Sequence, residues 1–225
     1  MTIIKSRQSG FTLVEIAIVL VIIGLLLGGV LKGQEMIENG RIKSVVADMN
    51  GVAAAFNTYL DRYNAIPGDE ATATMTARGW AGAAGGNANG VLAITAAQTF
   101  TNGGEQASMW RALRGAGLIA GDPAAAATVA GLPRAGTGGL LGVTVSPYGL
   151  IGNSVCVSAL NTKQVTGVDT AIDGPLPATN IGNNIGNARA DTGAANPLAP
   201  AAAAPAGTAY NETTVVNPWT LCRLL

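Results

Sequence analysis

One stretch decides how this chain is organised: Ser9-Gly10-Phe11-Thr12-Leu13-Val14-Glu15, followed by an apolar run that ends at Leu31. Between Phe11 and Leu31 the only strongly polar side chain is that of Glu15. A helix of about 21 residues is roughly 31 Å long, enough to cross a bilayer core of about 30 Å. Strands rarely exceed about 10 residues, so the run predicts a membrane-spanning helix over residues 11–31.

Glu15 is unexpected in this run, because placing an ionisable side chain within the hydrocarbon costs about 2.5–3.5 kcal/mol or more of free energy. Three arrangements would reduce that cost. The carboxylate lies near the interface and is hydrated, or it pairs with a polar group elsewhere in this chain, or it meets a positive charge on a neighbouring subunit. The sequence offers no second membrane segment to supply an internal partner, and we favour the neighbouring subunit.

The residues before the run are basic: Met1–Gly10 contains Lys5 and Arg7 and no acid, which predicts a cytoplasmic N-terminus. A short basic leader, the stretch Gly10-Phe11-Thr12-Leu13-Val14-Glu15 and an unbroken apolar tail resemble the class III signal of type IV pilins and type II secretion pseudopilins. The close resemblance covers about residues 6–70. It departs from many members at Lys32, where those proteins carry a proline.

The resemblance implies how the chain is processed and where it lies. A prepilin peptidase would remove the leader, residues 1–10, after Gly10, and would methylate the new N-terminal Phe11. Glu15 would neutralise the N-terminal amine of an adjacent subunit. The chain would wait in the bacterial inner membrane as a single-pass protein in contact with lipid. An assembly platform and minor pilins would then incorporate it into an extracellular pilus or a periplasmic pseudopilus.

The helix is expected to continue beyond the membrane over residues 32–63. Apolar residues recur there at spacings of three and four, which predicts one face that packs on a head domain. They are Ile37, Ile42, Val45, Val46, Met49, Val52, Ala53, Phe56, Tyr59 and Leu60. Asn64 and the pair Pro67-Gly68 should end the helix, and the pair predicts a type II turn.

Residues 64–225 are expected to form a globular head, and the resemblance implies an α+β, pilin-like fold in which the long helix packs on a small antiparallel sheet. Strands are predicted over Leu140–Ser146 and Leu150–Ala159, joined by a tight turn. Helices are predicted over Glu105–Gly117, with Trp110 as a core anchor, and after a cap at Asn161.

Two cysteines, Cys156 and Cys222, predict one disulfide in an exported chain, with two free buried thiols as the alternative. The bond would bracket residues 156–222. Within this region Thr179–Thr208 is rich in Asn, Ala, Gly and Pro and should be an exposed loop. The segment Tyr210–Leu225 should end in a final strand tied back to Cys156.

The sequence shows no active site. The chain contains no His, which excludes Ser-His-Asp and zinc-hydrolase arrangements, and no phosphate-binding loop is present. We expect no enzyme activity and no cofactor. Asp169 and Asp173 are weak candidates for calcium ligands, because calcium prefers oxygen donors. Asn211-Glu212-Thr213 matches an N-glycosylation pattern, which a bacterial-type protein is not expected to use.

The sequence therefore favours a structural subunit that forms a helical homo-oligomer, the filament of a type IV pilus. The alternatives are a type II secretion pseudopilin and a minor pilin. A membrane-anchored adhesin or DNA-binding module is a further alternative. With 13 basic and 13 acidic residues the chain lacks the positive charge that would indicate a nucleic-acid partner.

Overall fold

The computed structural model describes residues 10, 12–80, 85–101, 103–125, 128–175, 182–205, 210 and 218–225. The leader before Gly10, Phe11, the glycosylation pattern at 211–213 and the ends of the predicted loop 179–208 lie outside the described residues. The chain divides into two compact units, Met1–Gly40 and Arg41–Leu225. The globular unit therefore begins within the long helix rather than after it.

Helix α1 runs from Leu13 to Tyr63 without a break, as the sequence predicts. In the first unit its apolar side chains are exposed, from 46% for Ile23 to 90% for Leu13. Within the described residues, one helix is long enough and apolar enough to cross a membrane, and that helix is α1. An apolar surface of this extent is not stable in water, so this half of α1 must be covered by lipid or by other helices.

The second half of α1 carries a buried stripe at the predicted spacing of three and four residues. Val45, Met49 and Tyr59 are fully buried and belong to the core of the globular unit. Ile37, which the pattern placed on the same face, is 60% exposed and precedes that unit. The packed face therefore starts near Ile42, which is partly buried against the core.

The end of α1 is fixed by the predicted turn. The Asp69 N–H donates to the Ile66 carbonyl at 3.2 Å, and Gly68 has φ of 98°, the positive value that a type II turn requires at that position. A short helix, α2 (Thr72–Ala77), follows and was not predicted. It leads to Arg78, which donates to Glu70 at 2.5 Å and lies 4.4 Å from the centre of the Tyr63 ring.

The sheet has four strands in the order β1-β2-β4-β3, and every neighbouring pair is antiparallel. The strands are β1 (Leu141–Val145), β2 (Asn153–Leu160), β3 (Ala188–Thr192) and β4 (Trp219–Leu224). Strands β1, β2 and β4 confirm the predicted hairpin and final strand. The turn between β1 and β2 is longer than predicted, since residues 146–152 include a 3₁₀ turn at Pro147–Gly149.

Two further helices pack on this sheet, and both agree with the sequence prediction. Helix α3 (Gly104–Gly115) places Trp110 in the core with no exposed surface. Helix α4 (Thr162–Asp173) begins with the predicted cap: the Asn161 side chain accepts from the Gln164 N–H at 2.8 Å. Together with α1 and the sheet these helices give the predicted α+β, pilin-like architecture.

The predicted exposed loop Thr179–Thr208 needs a correction, because it contains strand β3. Ala188 and Ala190 are fully buried against the rest of the sheet. Among the strands that the structure describes, β3 pairs only with β4, so it is an edge strand. The N–H groups of Ala188 and Ala190 donate to the side chains of Asp173 and Asn184, each at 2.7 Å. These side chains satisfy edge amides that would otherwise be free to pair with another chain.

The two cysteines form the predicted disulfide. Cys156 on β2 and Cys222 on β4 are direct partners in the register of the two strands. The bond therefore links adjacent strands in the middle of the sheet, and both sulfur-bearing residues are fully buried. The chain between them contains α4 and β3, so the disulfide closes a loop of 66 residues, about a third of the globular unit.

Candidate functional site

The most distinctive polar arrangement of the N-terminal unit lies at the start of α1. Thr12 occupies the cap position before Leu13, and Glu15 is the third helical residue. The Glu15 N–H donates to the Thr12 hydroxyl oxygen at 3.3 Å. In return the Thr12 N–H and hydroxyl donate to Oε2 of Glu15, at 2.8 and 2.9 Å. This reciprocal pattern is a capping box.

The capping box explains how Glu15 is held in the isolated chain. The first amides of a helix have no partner within the helix, and an acid in the first turn also interacts favourably with the helix dipole. Glu15 uses Oε2 for both bonds from Thr12, and both residues are exposed. The carboxylate is therefore oriented by its own helix and still accessible to a cation from outside.

Thr12 was not singled out by the sequence analysis, although a signal for it is present. A Thr followed three residues later by a Glu, just before an apolar run, is the usual pattern of a capping box. Of the other predicted processing residues, Gly10 is exposed and Phe11 lies outside the described residues.

The two calcium candidates lie one turn apart on α4, but each already accepts a backbone bond. Oδ2 of Asp169 accepts from the Asn183 N–H at 2.9 Å, and Oδ2 of Asp173 accepts from the Ala188 N–H at 2.7 Å. Within the described ranges no group of three or more acidic, Cys or His residues is placed to hold a metal. Calcium binding stays a prediction, and the observed role of these carboxylates is to fasten the 182–190 segment to α4.

Asp169 is unusual in its burial. Its side chain is fully buried, and among the described residues Oδ1 has no hydrogen-bond partner. Burial, with a smaller effect from the nearby Asp173 carboxylate, raises the pKa of Asp169 to about 7, although the bond from the Asn183 amide opposes this shift. Burial thus favours the protonated form of this carboxyl group.

Comparison with known proteins agrees with the geometry at the helix start. A family model described as the prokaryotic N-terminal methylation motif matches residues 5–31. No curated protein and no solved structure matches the chain. The match covers the basic leader, Gly10, Phe11, the capping box and the apolar run, and it does not extend to the globular unit.

The motif bears on processing, location and activity. It supports a substrate of prepilin peptidase that is processed and assembles into filaments, and it fits anchoring of the apolar helix in the inner membrane before assembly. Proteins of this family are structural rather than enzymatic. The chain thus carries at residues 5–31 the N-terminal methylation motif that is the hallmark of type IV pilins and pseudopilins, which confirms the resemblance first seen in the sequence.

Proposed function

We propose that this protein is a structural subunit of a type IV pilus-like filament. Prepilin peptidase cleaves after Gly10 and methylates Phe11, and the mature chain waits in the inner membrane until the assembly platform and minor pilins incorporate it. The single observation that carries the proposal is the methylation motif, whose apolar part forms the exposed first half of a long helix. On assembly, residues 11–31 would leave the lipid and pack in a bundle of identical helices.

The exposed surface of α1 supports this exchange. Leu13, Leu20, Leu25 and Leu31 are each more than 60% exposed in the isolated chain. Lipid tails are as apolar as these side chains, so transfer from the bilayer into a helix bundle needs no exposure to water. Close packing and polar contacts between helices then decide the register of the subunits.

Glu15 is the polar contact that we assign to this role. Its cost inside the hydrocarbon is about 2.5–3.5 kcal/mol or more, and the capping bonds to Thr12 do not neutralise its charge. Processing after Gly10 creates a positive amine at Phe11. The Phe11 amine of a neighbouring subunit would pair with the Glu15 carboxylate, so an incoming chain is stabilised at one axial position.

The test is Glu15→Gln in the full-length chain, because Gln can keep the capping box and removes only the charge. Mass spectrometry should still find a mature chain that begins at methylated Phe11. Sheared filaments seen by electron microscopy should fall at least tenfold. Thr12→Ser, which keeps both the cap and the charge, is the matched control and should assemble. Normal filament yield from Glu15→Gln would refute the assembly mechanism, and a chain that begins at Met1 would refute the whole proposal.

We favour a pilus subunit over a type II secretion pseudopilin because the globular unit is large and its disulfide encloses a 66-residue segment. Cell fractionation and mechanical shearing separate these alternatives. Fibres on the cell surface composed mainly of this chain indicate a major pilin, a minor fraction of such fibres indicates a minor pilin, and a periplasmic location with loss of secretion on deletion indicates a pseudopilin. An adhesive or DNA-binding role would be secondary to assembly.

A further inference from the structure

Two exposed charges on the second half of α1 have no partner within the described part of the chain. Lys43 and Asp61 are exposed, and neither side chain forms a hydrogen bond or an ion pair with a residue that the structure describes. Both residues belong to the globular unit, and neither has a role in the assembly mechanism assigned to Glu15. Their placement on α1 identifies a partner for them.

The helix carries the two charges on one side. Positions 43 and 61 are 18 residues apart, which is about five turns at ~3.6 residues per turn, so both side chains leave α1 at nearly the same angle. At a rise of ~1.5 Å per residue, the two positions lie about 27 Å apart along the helix axis. We call this side of the helix the Lys43–Asp61 face. The exposed residues along the line between the two charges are no larger than Asn: Ala47, Asn50, Ala54 and Asn57.

The acidic end of this face is not neutralised by the adjacent Arg62. That residue projects about 100° further around the helix. Its guanidinium carbon lies 5.4 Å from the centre of the Tyr63 ring. Asp61 lines a cleft together with Asp69, and no basic residue is among the described residues that line it. The face therefore has a negative end and a positive end, each open to a partner from outside the chain.

A second copy of this chain carries the complementary charges. When the subunits are anchored in one membrane, as the proposed function requires, their α1 helices all point the same way. Two such helices in register would bring Lys43 against Lys43 and Asp61 against Asp61, which is repulsive. A stagger of about 27 Å instead brings Lys43 of one copy opposite Asp61 of the next. The same charges thus oppose one arrangement and favour the other.

The residues between the charges are compatible with this contact, because small side chains allow two helix axes to approach closely, within the usual range of about 8–10 Å. A single exposed ion pair is weak, since water and salt screen it. Its effect here is to select one stagger among several. The exposed apolar half of α1 supplies the larger surface for binding between subunits.

We propose that the Lys43–Asp61 face binds the same face of a second copy of this chain, with the two helices parallel and staggered by about 27 Å. Each copy then keeps one end of its face free, so the contact is heterologous and repeats along a row of subunits without closing. This inference rests on the proposed function. The pairing of Glu15 with the Phe11 amine joins helices offset by only about four residues, or ~6 Å, so the two ion pairs connect a subunit to different neighbours.

The first experiment reverses the charges in the full-length chain. Lys43→Glu and Asp61→Lys should each lower the yield of sheared filaments at least threefold, because like charges then meet at the proposed stagger. The double variant Lys43→Glu/Asp61→Lys restores opposite charges and should return the yield to within twofold of wild type. Lys163→Glu, at an exposed position of α4, is the control for reversal of a lysine and should assemble normally.

The outcomes of this experiment separate the inference from the proposed function. A wild-type chain that forms no filaments would refute the proposed function. Wild-type filaments together with normal assembly of both single variants, or with no recovery in the double variant, would overturn the inference alone.

The second experiment treats wild-type filaments with a carbodiimide, which joins a contacting amine and carboxylate as an amide while the carbodiimide takes up the water and becomes a urea. Mass spectrometry should find a link between Lys43 and Asp61, which must join two chains because the residues lie about 27 Å apart on one helix. Covalent trimers and longer oligomers should form. Lys43→Arg keeps the charge without the amine, so it should assemble and lose the link. Absence of the link in wild-type filaments would overturn the proposal, as would linked dimers alone, which indicate a closed antiparallel pair.

Discussion

Asp169 makes the stability of the globular unit depend on pH in an unusual direction. Its pKa is raised to about 7 in the folded chain, chiefly by burial, whereas an Asp in an unfolded chain has a pKa near 3.9. Between about pH 4 and pH 7 the folded chain therefore retains a proton that the unfolded chain has released. This contribution to stability is complete below about pH 4 and is lost as the pH rises through about 7.

The corresponding prediction concerns Asp169→Asn, which keeps an oxygen to accept from the Asn183 N–H. The free energy of unfolding of the variant, relative to wild type, should improve as the pH rises from 5 to 8, by at most about 1.4 kcal/mol per pH unit. Urea unfolding in detergent, followed by near-ultraviolet circular dichroism, measures this difference. Asp61→Asn, an exposed residue of α1, controls for the loss of one negative charge. A difference that is independent of pH would show that Asp169 is ionised throughout.

The roles of some of these residues could be recognised from the sequence, and the roles of others could not. Glu15 could be recognised because its polar side chain interrupts an apolar run, and the disulfide followed from two cysteines in an exported chain. The burial of Asp169 could not be recognised, since it depends on the Asn183 amide, 14 residues away, folding back over α4.

Two glycines inside helices show how packing overrides helix propensity at the scale of elements. Gly51 is an exposed residue of α1, and a Cβ added there would meet no atom of another described segment within 4 Å. Gly167 lies in α4 where that helix contacts α1, and a Cβ added there would lie 2.5 Å from Cδ1 of Ile42. The absence of a side chain is therefore a packing requirement at Gly167 and not at Gly51.

We predict opposite effects of the same substitution at these two positions. Gly51→Ala should stabilise the chain by about 0.5–1 kcal/mol, because Ala has the higher helix propensity. Gly167→Ala gains the same propensity but crowds Ile42, and it should destabilise the chain by about 1 kcal/mol or more. Urea unfolding of both variants beside wild type provides the measurement. Stabilisation by Gly167→Ala would mean that α4 does not pack closely on α1 in solution.

The elements also divide into those that the sequence predicts and those that the fold imposes. Helices α1, α3 and α4 have clear periodicity, α1 and α4 also have capping side chains, and β1, β2 and β4 are rich in Val, Leu and other strand formers. Strand β3 consists of Ala188-Arg189-Ala190-Asp191-Thr192, with little intrinsic strand preference. It is a strand because β4 offers an unpaired edge and because Asp173 and Asn184 satisfy its outer amides.

At the scale of the whole molecule, the two compact units are stabilised in different ways. The apolar half of α1 leaves its side chains exposed and depends on lipid or on other helices for burial. The globular unit must instead be stable by itself in an aqueous compartment, although the chain is rich in glycine, with 31 residues, and poor in aromatic residues. A modest core of this kind gains much from a covalent link.

The disulfide should supply a large share of that stability. A bond that closes a loop of 66 residues restricts the unfolded chain, and the chain-entropy treatment gives about 4 kcal/mol for such a loop. The double variant Cys156→Ala/Cys222→Ala should therefore lose about 3–5 kcal/mol in urea unfolding. Reduction of the wild type by dithiothreitol in urea should shift its midpoint towards that of the variant, while the variant itself should not respond to the reductant. Because the cysteines and residues 5–31 belong to different compact units, cleavage after Gly10 should be unaffected, and mass spectrometry should find the same mature N-terminus. An unchanged midpoint in the double variant would mean that the sheet and helices, rather than the bond between β2 and β4, hold the globular unit together.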